Sequence, residues 1–540
     1  MSGLPAPAST RLPAGFRVAL DRRVWTADGG AVLVGGAPPR MLRLAPAAQT
    51  LLAGGACTVT DATSAAFVRT LVDAGIAHPV EVPDAAVPAA SDVTVVVPVK
   101  DRPDGLRRLL AALPAGLGGV VVVDDGSADA AAVEKAVTAD GRVRLLRHPV
   151  ARGPAAARNA GLAAAGTPLV AFLDSDVVPE PGWLGPLLAC FADPAVGLAA
   201  PRIVALPPIE GWLGRYEAVR SSLDLGPDPA PVVPRSRVAY VPSAAMVVRR
   251  DAVGPGFAAE LRVAEDVDLV LRMHAAGWRL RYEPASRVAH DHRTTLPAWW
   301  LRKAYYGTGA APLALRHPGS VPPLVLNGWS AAVGALLLAG RPLGALLVAA
   351  GAAARLSRTL RVDRPGATAV RIVALGTAGT VAQTADAVTR HYWPLALLAC
   401  LCSRRARRTV AAVALAEGVV DWWRRRDRDP RVRPAPAGYV LARRLDDAPT
   451  ARGCGGARSG TGRRLRCVPP GPAARGETVP PGWTERVIDR LREGRACGLS
   501  RPDLRRCGVD NSVTHRSMTV VSGDCRRTVP GACTARSSGV

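Results

Sequence analysis

The sequence of 540 residues contains very little lysine and few aromatic residues, and these two shortages limit what its charge can mean. Lysine occurs only at Lys100, Lys135 and Lys303, so the formal net charge of +25 comes almost entirely from arginine. No basic stretch is interleaved with aromatic residues in the way that nucleic-acid-binding surfaces are. We interpret the arginine excess as mainly compositional and expect no nucleic acid among the partners.

The sequence also lacks CxxC cysteine pairs and an N-terminal secretion signal. No two of its ten cysteines have CxxC spacing, and only four lie in the first 450 residues. This distribution predicts neither a zinc site nor a disulfide framework, and it fits a reducing compartment. Residues 1–23 contain no continuous apolar stretch of the length that a signal needs. We therefore expect a cytoplasmic protein.

Apolar stretches long enough for a simple membrane span are absent as well. The stretches 324–340 and 392–402 are rich in Ala and Leu, but neither reaches the ~20 residues that a span requires. Two interpretations of the surrounding helical pattern remain open. In one, the helices lie on the cytoplasmic face of an anionic membrane, beside the arginines at 355–361 and 404–408. In the other, they form an accessory domain packed on the rest of the chain.

Four regions differ in composition. Residues 1–90 combine short strand patterns with two helical patterns, residues 91–295 alternate strand and helix, and residues 296–447 are helical. Residues 448–540 are rich in Arg and Cys and have almost no apolar periodicity. This tail is predicted to be disordered or, alternatively, to be the product of a shifted reading frame.

Residues 91–295 carry the pattern of an α/β domain. Its predicted strands are the short apolar runs 93–99, 119–125, 143–148 and 168–174. Such runs, separated by Ala- and Leu-rich helical stretches, indicate strands that are buried on both faces. We therefore predict a Rossmann-like, mostly parallel sheet covered by helices.

Three of these strands have polar residues at their carboxyl ends. They are Lys100-Asp101-Arg102, Asp124-Asp125 and Asp174-Ser175-Asp176. Ligands of open α/β sheets bind beyond the carboxyl ends of the strands, so these three groups predict one common site.

Three Asp-x-Asp pairs occur in the chain, and their surroundings distinguish them. Asp427/Asp429 lies among arginines with no strand before it, which predicts a solvated ion-pair cluster. Asp174/Asp176 lies on a turn after an apolar strand, where two carboxylates can share Mg²⁺ or Mn²⁺ with a diphosphate. The third pair, Asp266/Asp268, falls in the first turn of a predicted helix.

Several of these residues have a structural interpretation beside the functional one. Asp124 and Asp125 can accept hydrogen bonds from a nucleotide or can cap a helix. Arg158 and Asn159, early in the helical stretch 152–166, can contact a nucleotide or form surface contacts.

The acids of the helical stretch 263–278 can stabilise its N-terminus, or one of them can act as a general base. These acids are Glu265, Asp266 and Asp268. His290 and His292 lie two residues apart in an extended segment that follows, and we predict that they are further metal or phosphate ligands.

The order of the motifs resembles that of family 2 glycosyltransferases with a GT-A fold. The matching segments are "VVVPVKDRPDGLRRLL", "VVVDDGSAD", "RGPAAARNAGLAAAG", "LVAFLDSDVVPEPGWL" and "AEDVDLVLRMHAAGW". The resemblance covers about residues 91–295 and implies an inverting transferase that uses a nucleotide-sugar. It implies nucleotide-sugar contacts for Pro98, Asp101, Arg102, Asp124, Asp125, Arg158, Asn159 and Asp174.

The same resemblance implies a divalent metal, Mn²⁺ or Mg²⁺, at Asp174 and Asp176, to which the spacing of His290 and His292 adds these two as predicted ligands. It implies that Asp266 is the catalytic base, with Glu265 beside it.

A wider similarity, from about residue 12 to residue 447, is to the glycosyltransferases of mycofactocin systems. It is carried by "GGAPPRMLRLAPAAQTLL", "GWRLRYEPASRVAHDHR" and "YYGTGAAPLALRHPG". It implies transfer of glucose from UDP-glucose to a peptide-derived precursor of a redox cofactor. An acceptor on a lipid or cell-wall glycan is the alternative.

Two further features refine this resemblance. Residues 15–80 resemble small winged-helix modules that recognise peptide precursors. The QxxRW motif of processive relatives is absent, and residues 296–309 read "LPAWWLRKAYYGTG" in the corresponding region. This difference argues against processive synthesis through a membrane channel.

Overall fold

In the computed structural model the described residues are 4–138, 140–320 and 324–456, with the backbone alone described over 450–456. The two predictions for the Arg- and Cys-rich tail fall mainly on residues 457–540, which lie outside the described residues.

The N-terminal region forms two small antiparallel sheets and two helices. Its elements are β1 (Arg17–Leu20), β2 (Trp25–Ala27), β3 (Val32–Gly35), β4 (Arg40–Arg43), α1 (Pro46–Leu51), β5 (Ala56–Thr58), α2 (Ala62–Asp73) and β6 (Ala77–Glu81). One sheet has the order β5-β1-β6 and the other β2-β3-β4. The predicted short strands and two helices are present. The assignment as a winged-helix module stays a prediction.

Helix α2 connects this region to the large sheet. Asp61 caps its first turn by accepting a hydrogen bond from Ser64 N at 2.7 Å, while Phe67, Val68 and Leu71 enter the N-terminal core. On its other side Arg69 donates two hydrogen bonds, at 2.8 and 2.6 Å, to the carboxylate of Asp193. This bidentate ion pair links the N-terminal region to the domain that follows.

The central domain alternates strands and helices. Its elements are β7 (Val93–Val99), α3 (Pro103–Ala111), β8 (Gly119–Asp125), α4 (Ala130–Thr138), β9 (Val143–His148), α5 (Pro154–Ala164), β10 (Leu169–Leu173), β11 (Val177–Pro179), α6 (Leu184–Cys190), β12 (Val196–Ala205), α7 (Gly211–Arg220), β13 (Ala230–Pro231), β14 (Ala245–Arg249), α8 (Arg250–Val253), α9 (Glu265–Ala275) and β15 (Arg279–His290). The predicted strands 93–99, 119–125 and 143–148 have the observed bounds.

The strands of this domain form one nine-stranded sheet. Its order is β11-β15-β12-β14-β10-β7-β8-β9, and β13 pairs with β15. Alternate valines of β7 enter different cores: Val95 and Val97 pack with α3, α4 and α6, and Val96 packs with α5 and α9. The sheet is therefore covered by helices on both faces, which confirms the α/β prediction.

The prediction of a mostly parallel sheet needs correction, because the sheet is mixed. Strands β10, β7, β8 and β9 are parallel neighbours, as are β12 and β15. Strand β14 runs antiparallel to both β10 and β12, and β11 and β13 run antiparallel to β15. Strand direction depends on the connections, and the apolar pattern alone does not report it.

The C-terminal region is helical, as predicted. Its helices are α10 (Leu296–Gly307), α11 (Ala310–Arg316), α12 (Gly328–Leu338), α13 (Pro342–Ser357), α14 (Pro365–Asp386), a π-helical turn (Ala387–His391), α15 (Trp393–Cys402), α16 (Arg404–Arg425) and α17 (Pro436–Gly456). None of the helices within the described part of the chain combines the length and the apolar character needed to cross a bilayer.

This region has one packed part and one exposed part. Trp299 of α10 and Tyr439 of α17 are buried against Tyr216 of α7, so these helices share a core with the sheet domain. Helices α12–α16 instead expose many leucines, among them Leu343 and Leu401 at 76% and 72% exposure. The packing of α10 and α17 fits an accessory domain, and the membrane-surface interpretation of the exposed helices stays a prediction.

Close packing of α5 on the sheet depends on Gly161. A Cβ atom at this position would lie 2.2 Å from Val96 Cγ1, whereas one at Gly185 of α6 would meet nothing within 4 Å. Gly161→Ala is expected to lower the free energy of unfolding by about 1–3 kcal/mol, because the helix must move away from β7.

Gly185→Ala is the matched control and is expected to be neutral or to stabilise by up to about 1 kcal/mol. Urea denaturation of both variants measures the difference. Equal stabilities for the two variants would contradict the close approach of α5 to β7.

Candidate functional site

The loops after β7 and β8 are tied together at the carboxyl edge of the sheet. Asp101 N donates to Ser127 Oγ at 2.9 Å, and Asp101 Oδ1 accepts from Ala128 N at 2.8 Å. Asp101 holds a positive φ of 54°, which is costly for a residue with a side chain. The hydrogen bonds across the two loops keep it in that conformation.

Asp124 and Asp125 are buried and bonded within the chain. Asp124 accepts from Ser127 N at 3.0 Å and from Arg147 Nε at 3.0 Å. Asp125 accepts from His148 Nδ1 at 2.8 Å and from the backbone N–H groups of 152 and 153 at 2.9 and 2.8 Å. The predicted nucleotide contacts of these two acids stay a prediction.

The hydrogen bonds of Asp125 determine its charge state. Burial alone would raise the pKa of this carboxyl, but the backbone and His148 hydrogen bonds outweigh burial and lower the pKa below its ordinary value. Asp125 is therefore an anion that fixes the loop leading into α5.

Arg158 of α5 brings two distant acids together. Its side chain is 3% exposed, and its two Nη atoms donate to Asp174 Oδ1 at 2.6 Å and to Glu265 Oε1 at 2.8 Å. Burial would lower the pKa of the guanidinium, but the charges of the two acids outweigh it and raise the pKa. Arg158 thus joins the end of β10 to the start of α9.

Asn159, the next residue, has a different role in the structure. Its Nδ2 donates to Phe257 O and its Oδ1 accepts from Phe257 N, both at 2.8 Å. Both ends of the amide are therefore used to hold the backbone before α9. The predicted nucleotide contact of Asn159 is not tested by this arrangement.

The turn that carries Asp174 and Asp176 is fixed by backbone contacts. Asp174 N donates to Ala244 O at 3.0 Å, and Asp291 N donates to Asp176 O at 2.9 Å. Helix α3 lies directly against the turn, because a Cβ atom at Gly105 would lie 2.3 Å from Ser175 O. The absence of a side chain at this position lets α3 contact the turn.

The Asp176 carboxylate lies between an arginine and a histidine. Its Oδ2 is 3.3 Å from Arg102 Nη1, and its Oδ1 is 3.6 Å from His290 Nε2. Oδ1 is buried and has no hydrogen-bond partner among the residues that the structure describes. A buried carboxylate oxygen without a donor is available to a cation.

His290 and His292 contact each other and are neutral. Their Nδ1 atoms are 3.1 Å apart, and their ring centroids are 4.7 Å apart. Burial lowers the pKa of each ring to about 4. At neutral pH each imidazole therefore carries one proton.

Glu265 and Asp266 form the first turn of α9, as the sequence predicts. Asp266 is partly exposed; its Oδ2 accepts from Ser243 N at 3.0 Å and its Oδ1 from Val267 N at 2.8 Å. Burial raises the pKa of both acids, and the charge of Asp266 raises that of Glu265 further. Ala264 before them holds a positive φ of 67°.

Two other acids differ in role from the pair at Asp174 and Asp176. Asp268 is fully buried and accepts from Arg272 and His317, both at 2.8 Å, so it anchors the end of α11. Asp429 pairs with Arg431 at 2.7 Å as predicted, but it is 6% exposed. The prediction of a solvated cluster is therefore wrong for the Asp429 carboxylate, whereas the Asp427 side chain is 66% exposed and pairs with Arg426.

Some residues around the site had no separate motif in the sequence. Arg147 and His148 end β9 and become partners of Asp124 and Asp125 only through strand pairing. Arg302 and Tyr306 of α10 are bonded to each other at 2.8 Å and lie within electrostatic reach of Asp174 and Asp176.

Lys303 could have been singled out from the sequence, because it is one of only three lysines in the sequence. Its Nζ is 3.1 Å from Glu217 Oε1 and 3.3 Å from Asp446 Oδ1, and its side chain is 12% exposed.

The donor set can contribute to a divalent metal site but cannot enclose a metal. In the described ranges, no group of three or more His, Cys, Asp or Glu side chains is arranged to hold an ion. Mg²⁺ binds to one or two carboxylates and completes its shell with water and substrate phosphates, so an all-protein cage is not required. The buried, unpartnered Oδ1 of Asp176 beside Asp174 fits that mode.

The structure thus brings most of the predicted residues to one edge of the sheet. Direct contacts join Arg158 to Asp174 and Glu265, and Asp176 to Arg102 and His290. Asp124, Asp125 and Asn159 have their partners in the adjacent loops.

Comparison with known proteins gives matches of different extent. The profile of the glycosyl transferase family 2 matches residues 94–252. The pre-mycofactocin glycosyltransferase of Mycobacterium tuberculosis (strain H37Rv) is 49% identical over 447 residues, which cover 81% of this chain and 94% of that protein.

Two more distant matches cover less or align less well. The succinoglycan biosynthesis protein ExoU of Rhizobium meliloti (strain 1021) is 31% identical, over 36% of this chain and 60% of its own length. The solved structure of the mannosyltransferase PcManGT from Pyrobaculum calidifontis, with GDP-Man and Mn²⁺, is 19% identical with a TM-score of 0.32. It covers 62% of this chain and 87% of its own chain, a likeness too weak to bear on fold or ligands.

The contact between Gly105 and the Asp174–Asp176 turn can be tested by one substitution. Gly105→Ala is expected to displace the turn and to lower affinity for UDP with Mn²⁺ by about tenfold or more, because metal-site geometry tolerates little displacement. Calorimetric titration with UDP and Mn²⁺ measures this loss.

Leu187→Ala is the control. Leu187 is fully buried on α6, so its truncation costs about 2–5 kcal/mol of stability without touching the turn. Nucleotide affinity that falls equally in both variants would assign the effect to stability alone.

Proposed function

The chain belongs to the family of the pre-mycofactocin glycosyltransferases, and we propose that it transfers glucose from UDP-glucose to a mycofactocin-type peptide-derived acceptor with inversion at the anomeric carbon. It is a glycosyltransferase of the mycofactocin pathway. The use of UDP-glucose, the peptide-derived acceptor and the inversion at the anomeric carbon are our proposals.

The observation that carries the proposal is the bridge made by Arg158. The guanidinium joins the partly exposed Asp174 and the buried Glu265 in one cluster, although the two acids are 91 positions apart in the sequence. As a result, the proposed diphosphate-binding acids and the proposed base occupy the same edge of the sheet. This is the edge at which α/β sheets bind nucleotides.

We assign the divalent cation, Mn²⁺ or Mg²⁺, to Asp174 and Asp176. When bound, such an ion supplies positive charge to the diphosphate of the leaving nucleotide. Arg102 lies 3.3 Å from Asp176 and can add a hydrogen-bond donor for a phosphate oxygen. Pro98 and Asp124–Asp125, at the carboxyl ends of β7 and β8, and Asp101 in the loop after β7 form the proposed floor of the nucleotide site.

Asp266 is the proposed general base. It is partly exposed, whereas Glu265 is buried and paired with Arg158, so Asp266 is the acid that an acceptor hydroxyl can approach. Its raised pKa makes it a better proton acceptor than an ordinary aspartate. In the proposed reaction Asp266 takes the hydroxyl proton as the acceptor oxygen attacks the anomeric carbon and UDP leaves.

Asp266→Asn is expected to retain UDP binding and to lower kcat by about 10²–10⁴-fold, the usual contribution of a general base. The assay contains purified protein, UDP-glucose, Mn²⁺ and either a peptide-derived or a lipid-linked acceptor. Asp104→Asn is the control, since Asp104 is 78% exposed on α3 and pairs with Arg107. Transfer at the normal rate by Asp266→Asn would remove Asp266 from this role.

The same assay gives a pH dependence with a definite sign. A base must be deprotonated, so kcat falls as the pH falls through the raised pKa of Asp266. This fall occurs at a higher pH than it would for an ordinary aspartate. The residual activity of Asp266→Asn should lack this fall in kcat at acidic pH.

The same assay compares the two acceptors. Transfer to the lipid-linked acceptor alone would favour the alternative function.

We further propose that helices α12–α16 bind the cytoplasmic face of an anionic membrane. Their exposed leucines supply apolar area, and the arginines at 404–408 supply charge complementary to lipid headgroups. The N-terminal sheets and helices are the proposed peptide-recognition module, and residues 91–295 the proposed GT-A domain.

Leu347→Glu combined with Leu401→Glu should weaken binding to phosphatidylglycerol vesicles by about tenfold or more, because both residues are over 70% exposed and the change removes apolar contact and adds negative charge. Vesicle co-sedimentation measures it. Leu315→Glu on α11 is the control, with 62% exposure outside these helices. A wild-type protein that leaves anionic vesicles unbound would contradict the membrane proposal.

A further inference from the structure

A cavity lies between the N-terminal region and the sheet domain. Its volume is about 590 Å³, a size typical of sites that take small ligands. Its walls come from the segment before β1, the turn that leads into α2, the loop after α6 and the end of β14. Among the described residues, those assigned above to the nucleotide, the metal and the base do not line it. The proposed transfer reaction therefore leaves this cavity without a role.

Arg249, at the end of β14, lines the cavity and lacks a negative partner. Its Nε donates to Val196 O at 3.2 Å and its Nη2 to Phe191 O at 3.3 Å. Within the described part of the chain, its Nη1 has no acceptor and no carboxylate forms an ion pair with it. Burial lowers the pKa of this guanidinium, and the more distant charges of Asp193 and Asp251 offset only part of that effect. The two carbonyls accept hydrogen bonds but carry no net charge, so the cation is left uncompensated.

Arg11, in the segment before β1, adds a second positive charge to the lining. Its backbone N–H donates to Ser9 Oγ at 3.2 Å, but its guanidinium has no hydrogen bond or ion pair with any described residue. The described lining contains one acid, Asp61, which caps α2 by accepting from the N–H and the hydroxyl of Ser64 at 2.7 and 2.9 Å. Two arginines against one aspartate give the lining a formal charge of +1. This charge suits an anionic ligand.

Much of the remaining lining is apolar. It includes Leu12, Pro13 and Val59 from the N-terminal region and Phe191 and Pro194 from the sheet domain. A free phosphate can use only the charges of such a site. The end of a peptide can use both parts, because its side chains cover apolar surface while its carboxylate pairs with a guanidinium. The lining therefore favours a peptide carboxylate over a free phosphate.

Arg69 of α2 holds two walls of the cavity together. Its Nε donates to Thr10 O at 2.9 Å in the segment before β1, and its two Nη atoms bind the carboxylate of Asp193 in the loop after α6. Asp193 in turn accepts from Ala195 N at 2.9 Å, which fixes the course of that loop. Contacts within the chain thus shape the cavity, and a ligand does not have to order its walls.

We propose that this cavity binds the carboxylate of a peptide, with Arg249 and Arg11 as its two cationic partners. The inference rests on the proposed function in one respect, namely that the acceptor is derived from a peptide. It gives the proposed peptide-recognition module a ligand class. It also separates the place where a peptide is held from the edge of the sheet where glucose is transferred.

The first test measures whether binding requires a carboxylate. The full chain is titrated calorimetrically with three N-acetylated tripeptides. Ala-Leu-Ala with a free C-terminus and Ala-Leu-Asp with an amidated C-terminus each carry one carboxylate, whereas amidated Ala-Leu-Ala carries none. We expect a peptide with a carboxylate to bind about tenfold or more tightly than the uncharged one, and the tighter of the two shows whether the terminal or the side-chain carboxylate is preferred. Equal affinities for all three, or no detectable binding of either anion at millimolar concentration, would overturn the proposal.

The second test removes the two cations one at a time. Arg249→Gln and Arg11→Gln should each lower the affinity for the anionic peptide about tenfold and leave the affinity for the uncharged peptide unchanged. Arg250→Gln is the matched control, because Arg250 also donates to a carbonyl, Ala165 O at 2.8 Å, and does not line the cavity. Arg11 is exposed, so its variant remains informative even if Arg249→Gln fails to fold. Wild-type affinity for the anionic peptide in either folded variant would overturn the proposal.

Inorganic phosphate separates a peptide site from a general anion site. Phosphate should compete with the anionic peptide about tenfold less effectively than the peptide competes with itself, because phosphate cannot use the apolar walls. Equal competition by phosphate would overturn the assignment to peptides.

The outcomes separate this site from the proposed function, because binding is measured without UDP-glucose. A protein that transfers glucose but does not distinguish the charged from the uncharged peptide would reject the cavity as a carboxylate site and leave the proposed function standing. Carboxylate-dependent binding that both arginines support, in a protein that transfers no glucose, would confirm the site and reject the proposed function.

Discussion

The site depends on the burial of one guanidinium between two carboxylates. If Arg158 moved away, the carboxylates of Asp174 and Glu265 would lose their positive partner. This loss would be costly, because all three side chains are mostly removed from water. With Asp176, Asp266 and Arg102, the cluster has four acids against two arginines. When all are ionised, four negative and two positive charges leave a formal charge of −2, which a divalent cation would neutralise. The same charge excess accounts for the raised pKa values of Glu265 and Asp266 in part, after burial.

The C-terminal helices belong to this arrangement more closely than a separate accessory domain would. Trp299 and Lys303 of α10 reach Glu217 directly, and Tyr439 of α17 packs against the same helix, α7. Helices α12–α16 instead share few buried side chains with the sheet domain. One end of the region therefore packs next to the candidate site, and helices α12–α16 expose the apolar surface that is proposed to bind a membrane.

Sequence reasoning located the central strands because burial on both faces makes them continuous apolar runs. It located Asp174, Asp176, Glu265 and Asp266 because acids directly after such a strand or at a helix start are conspicuous. It missed the antiparallel β14, since strand direction is set by the path of the chain and not by composition. It also missed Arg147 and His148, because they become partners of Asp124 and Asp125 only when β9 pairs with β8.

Lys303 shows how a rare residue can be informative in a biased sequence. Arginine presents its donors in a planar fork, whereas the lysine ammonium is a compact charge with three donors that can point in different directions. At Lys303 two carboxylates from different helices, Glu217 and Asp446, approach one nitrogen at 3.1 and 3.3 Å. An arginine guanidinium, which binds one carboxylate with two nitrogens, fits this geometry less well. The ammonium therefore allows α7, α10 and α17 to meet at a single point behind His292.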